Sequence, residues 1–397
     1  MMKLSVLSFL LCVVAKIPRE IYGGIRWRGI NFTETTIRDG WLLEPHRVVT
    51  NDGYILTIFR LHRGQNCIRL RQPPVLIMHG LLLSSDSWLD SDAGLGYLIS
   101  DQCYDVWLGN VRGNYYSRNH LTLNPDIDPE FWQFYLNDVG VSDLPAIIDY
   151  ILYSTRSERL NYIGYSQSGG SLVIMCSERQ EYCGKVRSAM LLNPATRMKY
   201  TSSPAFRLLT KFYETFRPHL SSARNLEVFP IGGVIQTTIA SLCDKEKDAD
   251  VICRAILNLI DSRHSGSIVA ETMKKLSRHF PAGTSAKSLT WFSQTLNADD
   301  FKKFNYGASE NLKLYGDVDP PLYNMNATTV PVVIIYGKND RIVSYKDIKW
   351  LKLQLPNILE VFQIGDPLWN HFDTPYSQHN NKMIMPKINE YLLKYSY

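Results

Sequence analysis

The sequence is poor in the features that mark specialised protein classes. Seven cysteines are spread over 397 residues, and none forms a C-x-x-C pair of the kind that suggests zinc. Like charges do not gather: 43 Lys and Arg against 38 Asp and Glu leave a net charge of +5, scattered along the chain rather than drawn into a stripe. That excludes an acidic or basic tail and gives no warrant for nucleic-acid binding. Internal repeats and low-complexity stretches are absent. No apolar run reaches the roughly 20 residues that a bilayer core requires, so no transmembrane segment is expected. What is present is 45% hydrophobic against 20% charged residues. Such a chain can bury a large core, which excludes disorder and collagen-like structure. Length alone permits two or three domains, although α/β folds often run this long as one unit.

At the N-terminus, Lys3 is followed by an apolar run over 4–15 that ends in small and β-branched residues, the layout of a secretory signal peptide with cleavage after Ala15. Cys12 lies in that run. The remaining cysteines, Cys67, Cys103, Cys176, Cys183, Cys243 and Cys253, would then meet an oxidising compartment. Six are too few to staple a chain of this size, and one or two local disulfides are expected. The sequons at Asn31 and Asn326 are glycan acceptors if the chain enters the secretory pathway.

Short apolar segments bounded by turn signals fall at 54–61, 75–79, 105–108, 160–164, 188–192, 332–336 and 359–363, and read as strands. Segments 143–153, 168–179, 345–353 and 380–393 carry apolar residues at three- and four-residue intervals and read as helices. This alternation implies an α/β fold with a mostly parallel sheet. Between 197 and 315 the strand pattern disappears. That segment reads as short helices broken by Pro204, Pro218, Pro230 and Pro281, an inserted cap. Phe206, Leu209, Tyr213 and Phe216 recur there at helical spacing, either packing on the core or forming a lid or lipid-contacting face.

The most informative stretch is Asn161-Tyr162-Ile163-Gly164-Tyr165-Ser166-Gln167-Ser168-Gly169-Gly170, an apolar strand that turns through small residues into a helix. It resembles a nucleophile elbow. There a strained turn pushes a serine oxygen out of the sheet, at a helix N-terminus whose dipole favours developing negative charge. The plainer alternative is that Ser166 only caps the helix. Downstream order favours the first reading, because hydrolases of this architecture supply serine, then acid, then histidine. The strand 332–336 ends in Gly337-Lys338-Asn339-Asp340, placing a carboxylate beyond the carboxyl end of a strand, where open α/β sheets build their sites. Asp347 is a rival acid but falls in a helical pattern. After the next strand, Pro367-Leu368-Trp369-Asn370-His371 supplies the base. A hydroxyl is a poor nucleophile near neutral pH, so an imidazole must take its proton while a carboxylate fixes the tautomer.

A fourth component is a pair of backbone N–H groups to hold an oxyanion. The strand 75–79 runs into Gly80-Leu81-Leu82, where Leu81 is one donor candidate, and Gln167, the residue after the nucleophile, is the other. His79 would support that loop. The alternative is an ordinary β-to-α turn.

Several dispersed motifs, in this order, resemble the acid lipases, the family of gastric and lysosomal acid lipase. They begin with His46-Arg47-Val48-Val49-Thr50-Asn51-Asp52-Gly53-Tyr54-Ile55-Leu56 and His79-Gly80-Leu81-Leu82. Asp105-Val106-Trp107-Leu108-Gly109-Asn110, Arg112-Gly113-Asn114, Phe131-Trp132, Asp143-Leu144-Pro145-Ala146 and the elbow follow. Pro281-Ala282-Gly283-Thr284-Ser285, Asn339-Asp340 and Asn370-His371 complete the set. The resemblance implies an α/β-hydrolase fold, a mostly parallel central sheet flanked by helices with an inserted helical cap and lid. It implies hydrolysis of triacylglycerols or steryl esters at a lipid–water interface, without metal or cofactor, in a secreted or lysosomal protein. It assigns Ser166, Asp340 and His371 as triad, Leu81 and Gln167 as oxyanion donors, and Cys243 with Cys253 as the cap disulfide. Cys176 and Cys183 are left as buried thiols or a pair. The family's His-Ser-Gln-Gly elbow is altered here, with Tyr165 before the serine and Ser168 in place of glycine. A side chain at 168 would press on the helix–strand contact, although serine is small enough to be tolerated.

The expected organisation is a signal peptide over 1–15, a first part of the core over 16–196, the cap over 197–315 and a second part of the core over 316–397. Two rival readings are an esterase for small soluble esters and a lipid-binding or storage protein without turnover.

Overall fold

The computed structural model describes residues 40–63, 67, 71–222, 226–244, 249–296 and 298–396. The expected signal segment, Cys12 and Asn31 lie outside the described residues. Among the described residues ten strands follow one another: β1 (Leu42–Val49), β2 (Ile55–His62), β3 (Arg71–Met78), β4 (Tyr104–Gly109), β5 (Leu160–Tyr165), β6 (Val186–Leu192), β7 (Glu227–Val228), β8 (Thr284–Ser285), β9 (Val332–Tyr336) and β10 (Ile358–Gln363). Eight of them form one sheet in the order β1-β2-β4-β3-β5-β6-β9-β10. From β4 to β10 every neighbouring pair is parallel, while β2 joins β4 and β1 joins β2 antiparallel. The mostly parallel α/β sheet expected from the alternation of segments is borne out.

Every residue of β4 and β5 is buried, as are all but one in β6 and in β9. Layers on both faces of a parallel sheet require such near-continuous apolar strands, and this is why they stand out in the sequence. The edges are different. β10 is half-exposed along its length, and β1 is mostly exposed, burying Leu43 and Val48. β1 is not among the strands expected from the sequence, and it contains Pro45; on an edge, a proline lacking its N–H is tolerated.

The helices flanking this sheet include α1 (Leu95–Ser100), α2 (Leu144–Thr155) and α3 (Gln167–Glu178). Between β6 and β9 come α4 (Pro204–Ser222), α5 (Val234–Cys243), α6 (Ala249–Ile260), α7 (Ala270–His279), α8 (Ala286–Thr295) and α9 (Ala308–Tyr315). α10 (Tyr345–Gln354), α11 (Asn380–Met383) and α12 (Met385–Lys394) close the chain. The continuous helix expected over 380–393 is divided at Ile384, just before Pro386 at the start of α12. The segment between β6 and β9 adds no strand to the large sheet. It does hold the two-residue ladder of β7 and β8, Glu227 opposite Ser285 and Val228 opposite Thr284, too short for a periodic signal.

Two local expectations need correction. Pro218 does not break α4 but lies within it; Tyr213 and Leu220, buried on either side, carry the helix through, since tertiary packing outweighs local propensity. Among the described residues the disulfides number three rather than one or two: Cys67–Cys103, Cys176–Cys183 and Cys243–Cys253. The first spans 36 residues and is invisible to a search for local pairs. Of the aromatic stripe on α4, Tyr213 is buried and Phe206 meets Phe292 of α8 edge-on at 6.0 Å, whereas Phe216 remains exposed. No helix among the described residues is long and apolar enough to cross a membrane.

Candidate active site

The site lies at the carboxyl ends of four adjacent strands, β3, β5, β6 and β9, with β10 beyond them. β5 ends at Tyr165 and α3 begins at Gln167, so Ser166 alone makes the turn, at φ 54° and ψ −117°. A side chain in this left-handed region is unfavourable unless its surroundings fix it. Here the Ser166 N–H donates to Leu192 O at 2.9 Å, and the Ser166 carbonyl accepts from Gly169 N–H at 3.0 Å and Ala195 N–H at 2.8 Å. The turn also needs glycine beside it: a Cβ on Gly170 would lie 2.3 Å from the Ala195 carbonyl oxygen.

The Ser166 hydroxyl faces His371 Nε2 at 2.9 Å, and His371 Nδ1 meets Asp340 Oδ2 at 2.6 Å. With Nδ1–H donated to the carboxylate, Nε2 is left to accept from the serine. All three residues are buried, Ser166 5%, Asp340 6% and His371 4% exposed. Asp340 is held from several sides. Its Oδ1 accepts from the N–H groups of Ile342 at 2.8 Å and Val343 at 2.7 Å, and its Oδ2 also accepts from Asn193 Nδ2 at 2.6 Å. Burial alone would lower the His371 pKa, but the Asp340 charge and hydrogen bond, with help from the Asp261 carboxylate, hold it above the ordinary value.

Leu81 follows the end of β3, next to the serine: a Cβ on Gly80 would stand 3.2 Å from Ser166 Cβ. Neither the Leu81 nor the Gln167 N–H has an acceptor among the described residues. The loop is fixed around them. Leu83 N–H donates to Gly80 O at 3.2 Å, and Ala282 N–H reaches across from the inserted segment to Leu82 O at 2.8 Å. His79 lies beneath. Its Nε2 accepts from Val111 N–H at 3.3 Å and Asn114 Nδ2 at 3.1 Å, so Nδ1 carries the proton and donates to Gly80 O at 2.8 Å. Burial pushes its pKa down to about 4, so it stays neutral.

The two departures at the elbow are both absorbed. Ser168 is fully buried, and its hydroxyl donates to the His79 carbonyl at 2.5 Å, tying the first turn of α3 to the end of β3. Tyr165 packs its ring on the His371 imidazole at 4.8 Å, and its hydroxyl donates to the His371 carbonyl at 2.9 Å. The rival acid Asp347 lies elsewhere, in the first turn of α10, paired with Arg197 at 3.1 Å. Cys243 and Cys253 are bonded within the inserted segment, and Asn326 is exposed on a short turn.

Two residues near the site were not found from the sequence. Asn193 follows β6 with φ 46° and supports Asp340. Asp261 follows α6 and accepts hydrogen bonds from the backbone on either side of the Asp340–His371 pair. A lone Asn or Asp after a regular element has no periodicity and so carries no signal in the sequence.

The model for the partial alpha/beta-hydrolase lipase region matches residues 32–92, and that for the alpha/beta hydrolase fold matches residues 73–374. Lipase 1 of Drosophila melanogaster is 34% identical over 358 residues, 89% of this chain and 78% of that protein. The gastric triacylglycerol lipase of Bos taurus is 32% identical over 348 residues, 84% of each. Among solved structures, an epoxide hydrolase of Vigna radiata is similar in fold, with a TM-score of 0.52 at 17% identity over 89% of this chain and 98% of that one.

Proposed function

This chain belongs to the alpha/beta hydrolase fold family and to its lipases, and from that premise we propose that it hydrolyses carboxylic esters of lipids through an acyl-enzyme on Ser166. The observation that carries the reading is the continuous relay from the Ser166 hydroxyl through His371 to Asp340, at 2.9 and 2.6 Å, beside two N–H groups without acceptors.

In the proposed reaction the Ser166 oxygen attacks the ester carbonyl as His371 Nε2 takes its proton. The carbonyl oxygen becomes an oxyanion held by the N–H groups of Leu81 and Gln167. When the carbon–oxygen bond to the alcohol breaks, His371 returns the proton to the departing oxygen, and the acyl group stays on Ser166. Water then attacks the acyl carbon, again giving a proton to His371, and the carboxylic acid is released as the serine regains its hydrogen. Asp340 holds the imidazole tautomer and stabilises the imidazolium. Oxyanion donors of this kind are worth about 3 kcal/mol each.

The segment over 197–315 acts in this reading as a cap that must lift before a lipid enters, because Ser166 and His371 are covered in the state described. Three disulfides and the exposed sequon at Asn326 support an oxidising, extracellular or lysosomal setting.

The test pairs wild type with Ser166→Ala. Wild type is expected to cleave long-chain glyceryl esters and to be labelled once by an organophosphonate, while Ser166→Ala loses at least about a thousandfold in kcat and takes no label. Full turnover by Ser166→Ala would refute the mechanism. A profile of rate over acyl length separates lipids from small soluble esters as substrates.

A further inference from the structure

Asp261 lies at the end of α6 in the inserted segment, 2% exposed, and no part of the reaction above uses it. Its Oδ2 accepts from the His371 N–H at 2.6 Å and the Phe372 N–H at 3.4 Å. Its Oδ1 accepts from the N–H groups of Arg341 at 2.9 Å and Ser262 at 2.8 Å. Arg341 is the residue after Asp340, so a single carboxylate grips the loop that carries the acid and the loop that carries the base. Its neighbour repeats the pattern: Ser262 O accepts from Asn370 Nδ2 at 2.6 Å, and the Ser262 hydroxyl donates to Asn339 O. The loops after β9 and β10 are thus bridged from above by two consecutive residues of the insert.

We propose that Asp261 is a positioning residue for ester hydrolysis: its carboxylate sets the approach of His371 to Asp340 and couples that geometry to the seating of the cap. This rests on reading Ser166, His371 and Asp340 as the reacting set. The carboxylate acts through the backbone, fixing where the imidazole pivots, and through its charge, which joins that of Asp340 in favouring the imidazolium formed when Ser166 loses its proton. The groups that face it are Asp340, Arg341 and His371 on the platform side. On the other side Arg254, Arg263, His264 and Asp373 line a small cavity that Asp261 shares. Burial and the Asp340 charge push the Asp261 pKa up, against the pull of His371 and of the backbone N–H donors that hold the carboxylate in its charged form.

Asp261→Asn keeps the shape but must turn an amide NH2 toward one of the two N–H pairs. Asp261→Ala removes the side chain and lets water take the freed donors. Both variants and wild type are assayed on a short soluble ester, with the pH profile of kcat/KM, the KM and the rate of phosphonate labelling. Losing a hydrogen bond to a charged acceptor typically weakens an interaction about 10- to 100-fold. Accordingly kcat and the labelling rate are expected to fall at least about tenfold, with KM within about twofold. Because His371 loses one of two charges that favour its protonated form, the acid limb of the profile moves to lower pH. A third variant, Ser262→Ala, loosens the same bridge without removing the charge, and its acid limb stays with wild type. If the Asp261 variants keep the wild-type kcat, or lose activity with an unmoved acid limb, the proposal is overturned while wild-type labelling at Ser166 still stands. A wild type that takes no label overturns both readings.

Discussion

The platform of strands and the segment inserted between β6 and β9 are held by different forces. Within the platform, β5, β9 and β3 from Val75 to Met78 bring no charged residue into the core, and their stability comes from apolar burial and ladder hydrogen bonds. The insert has apolar packing of its own, with Trp291 and Phe292 of α8 buried. Its seam with the platform is polar. Along it lie Arg197 with Asp347 at 3.1 Å, Arg118 with Glu227 at 2.8 Å, His279 with Asp90 at 3.0 Å, and Asp261 against the His371 backbone at 2.6 Å. A dispersive core responds little to pH, whereas a seam built of charges can be loosened by protons or salt without unfolding the sheet.

The largest effect that would test this difference is a cavity in the platform. Ile163→Ala, in a fully buried position of β5, is expected to lower unfolding stability by about 4 kcal/mol, read from the denaturant midpoint and independent of pH between 6 and 9. Equal pH dependence in the variant and in the seam would erase the distinction.

Next comes the His279–Asp90 pair, where removal of one buried partner is expected to cost about 3 kcal/mol at neutral pH. Burial alone would lower the His279 pKa, but Asp86 and Asp90 raise it to about 9, and burial raises Asp90. A histidine held above its unfolded value stabilises fully below about pH 6.5. That contribution fades as pH climbs through about 9. Hydrogen-exchange protection of α7 should therefore drop between pH 6 and 10 in wild type. In His279→Gln it should be low at pH 6 and change little; a wild-type seam indifferent to pH would sink the argument.

The smallest effect belongs to a polar contact inside the platform. Ser168→Ala deletes the hydroxyl bonded to His79 O, but strand and helix are already packed around it, so stability should fall by only about 1 kcal/mol. Phosphonate labelling of Ser166 should slow by less than about fivefold, the equivalent of about 1 kcal/mol. A larger loss would mean that Ser168 carries the loop of Leu81 by itself.

The sequence was most readable where local pattern and global fold agree. β5, the elbow and α3 could be placed because an apolar run, a small-residue turn and a helical period succeed one another without interruption. Asp340 and His371 were picked out by their positions after strands, and the structure brings them to hydrogen-bonding distance of one another, with His371 also within reach of Ser166. Elsewhere the deciding interactions are remote. β1 is a strand because β2 pairs with it, despite Pro45, and Pro218 stays helical because of what α4 packs against. Cys67 and Cys103 meet only once β4 is in the sheet. Asp261 is the extreme case, since a carboxylate at a helix end acquires its partners only when two distant loops arrive beside it.

The strand order also acts as a ruler. Neighbouring strands stand about 4.8 Å apart, and β6 separates β5, which presents Ser166, from β9, which presents Asp340. Two such intervals are what one imidazole with a hydrogen bond at each end can bridge. The position just beyond β6 is taken by Asn193, which steadies the carboxylate from the side. The width of a single intervening strand is thus matched by the reach of one imidazole.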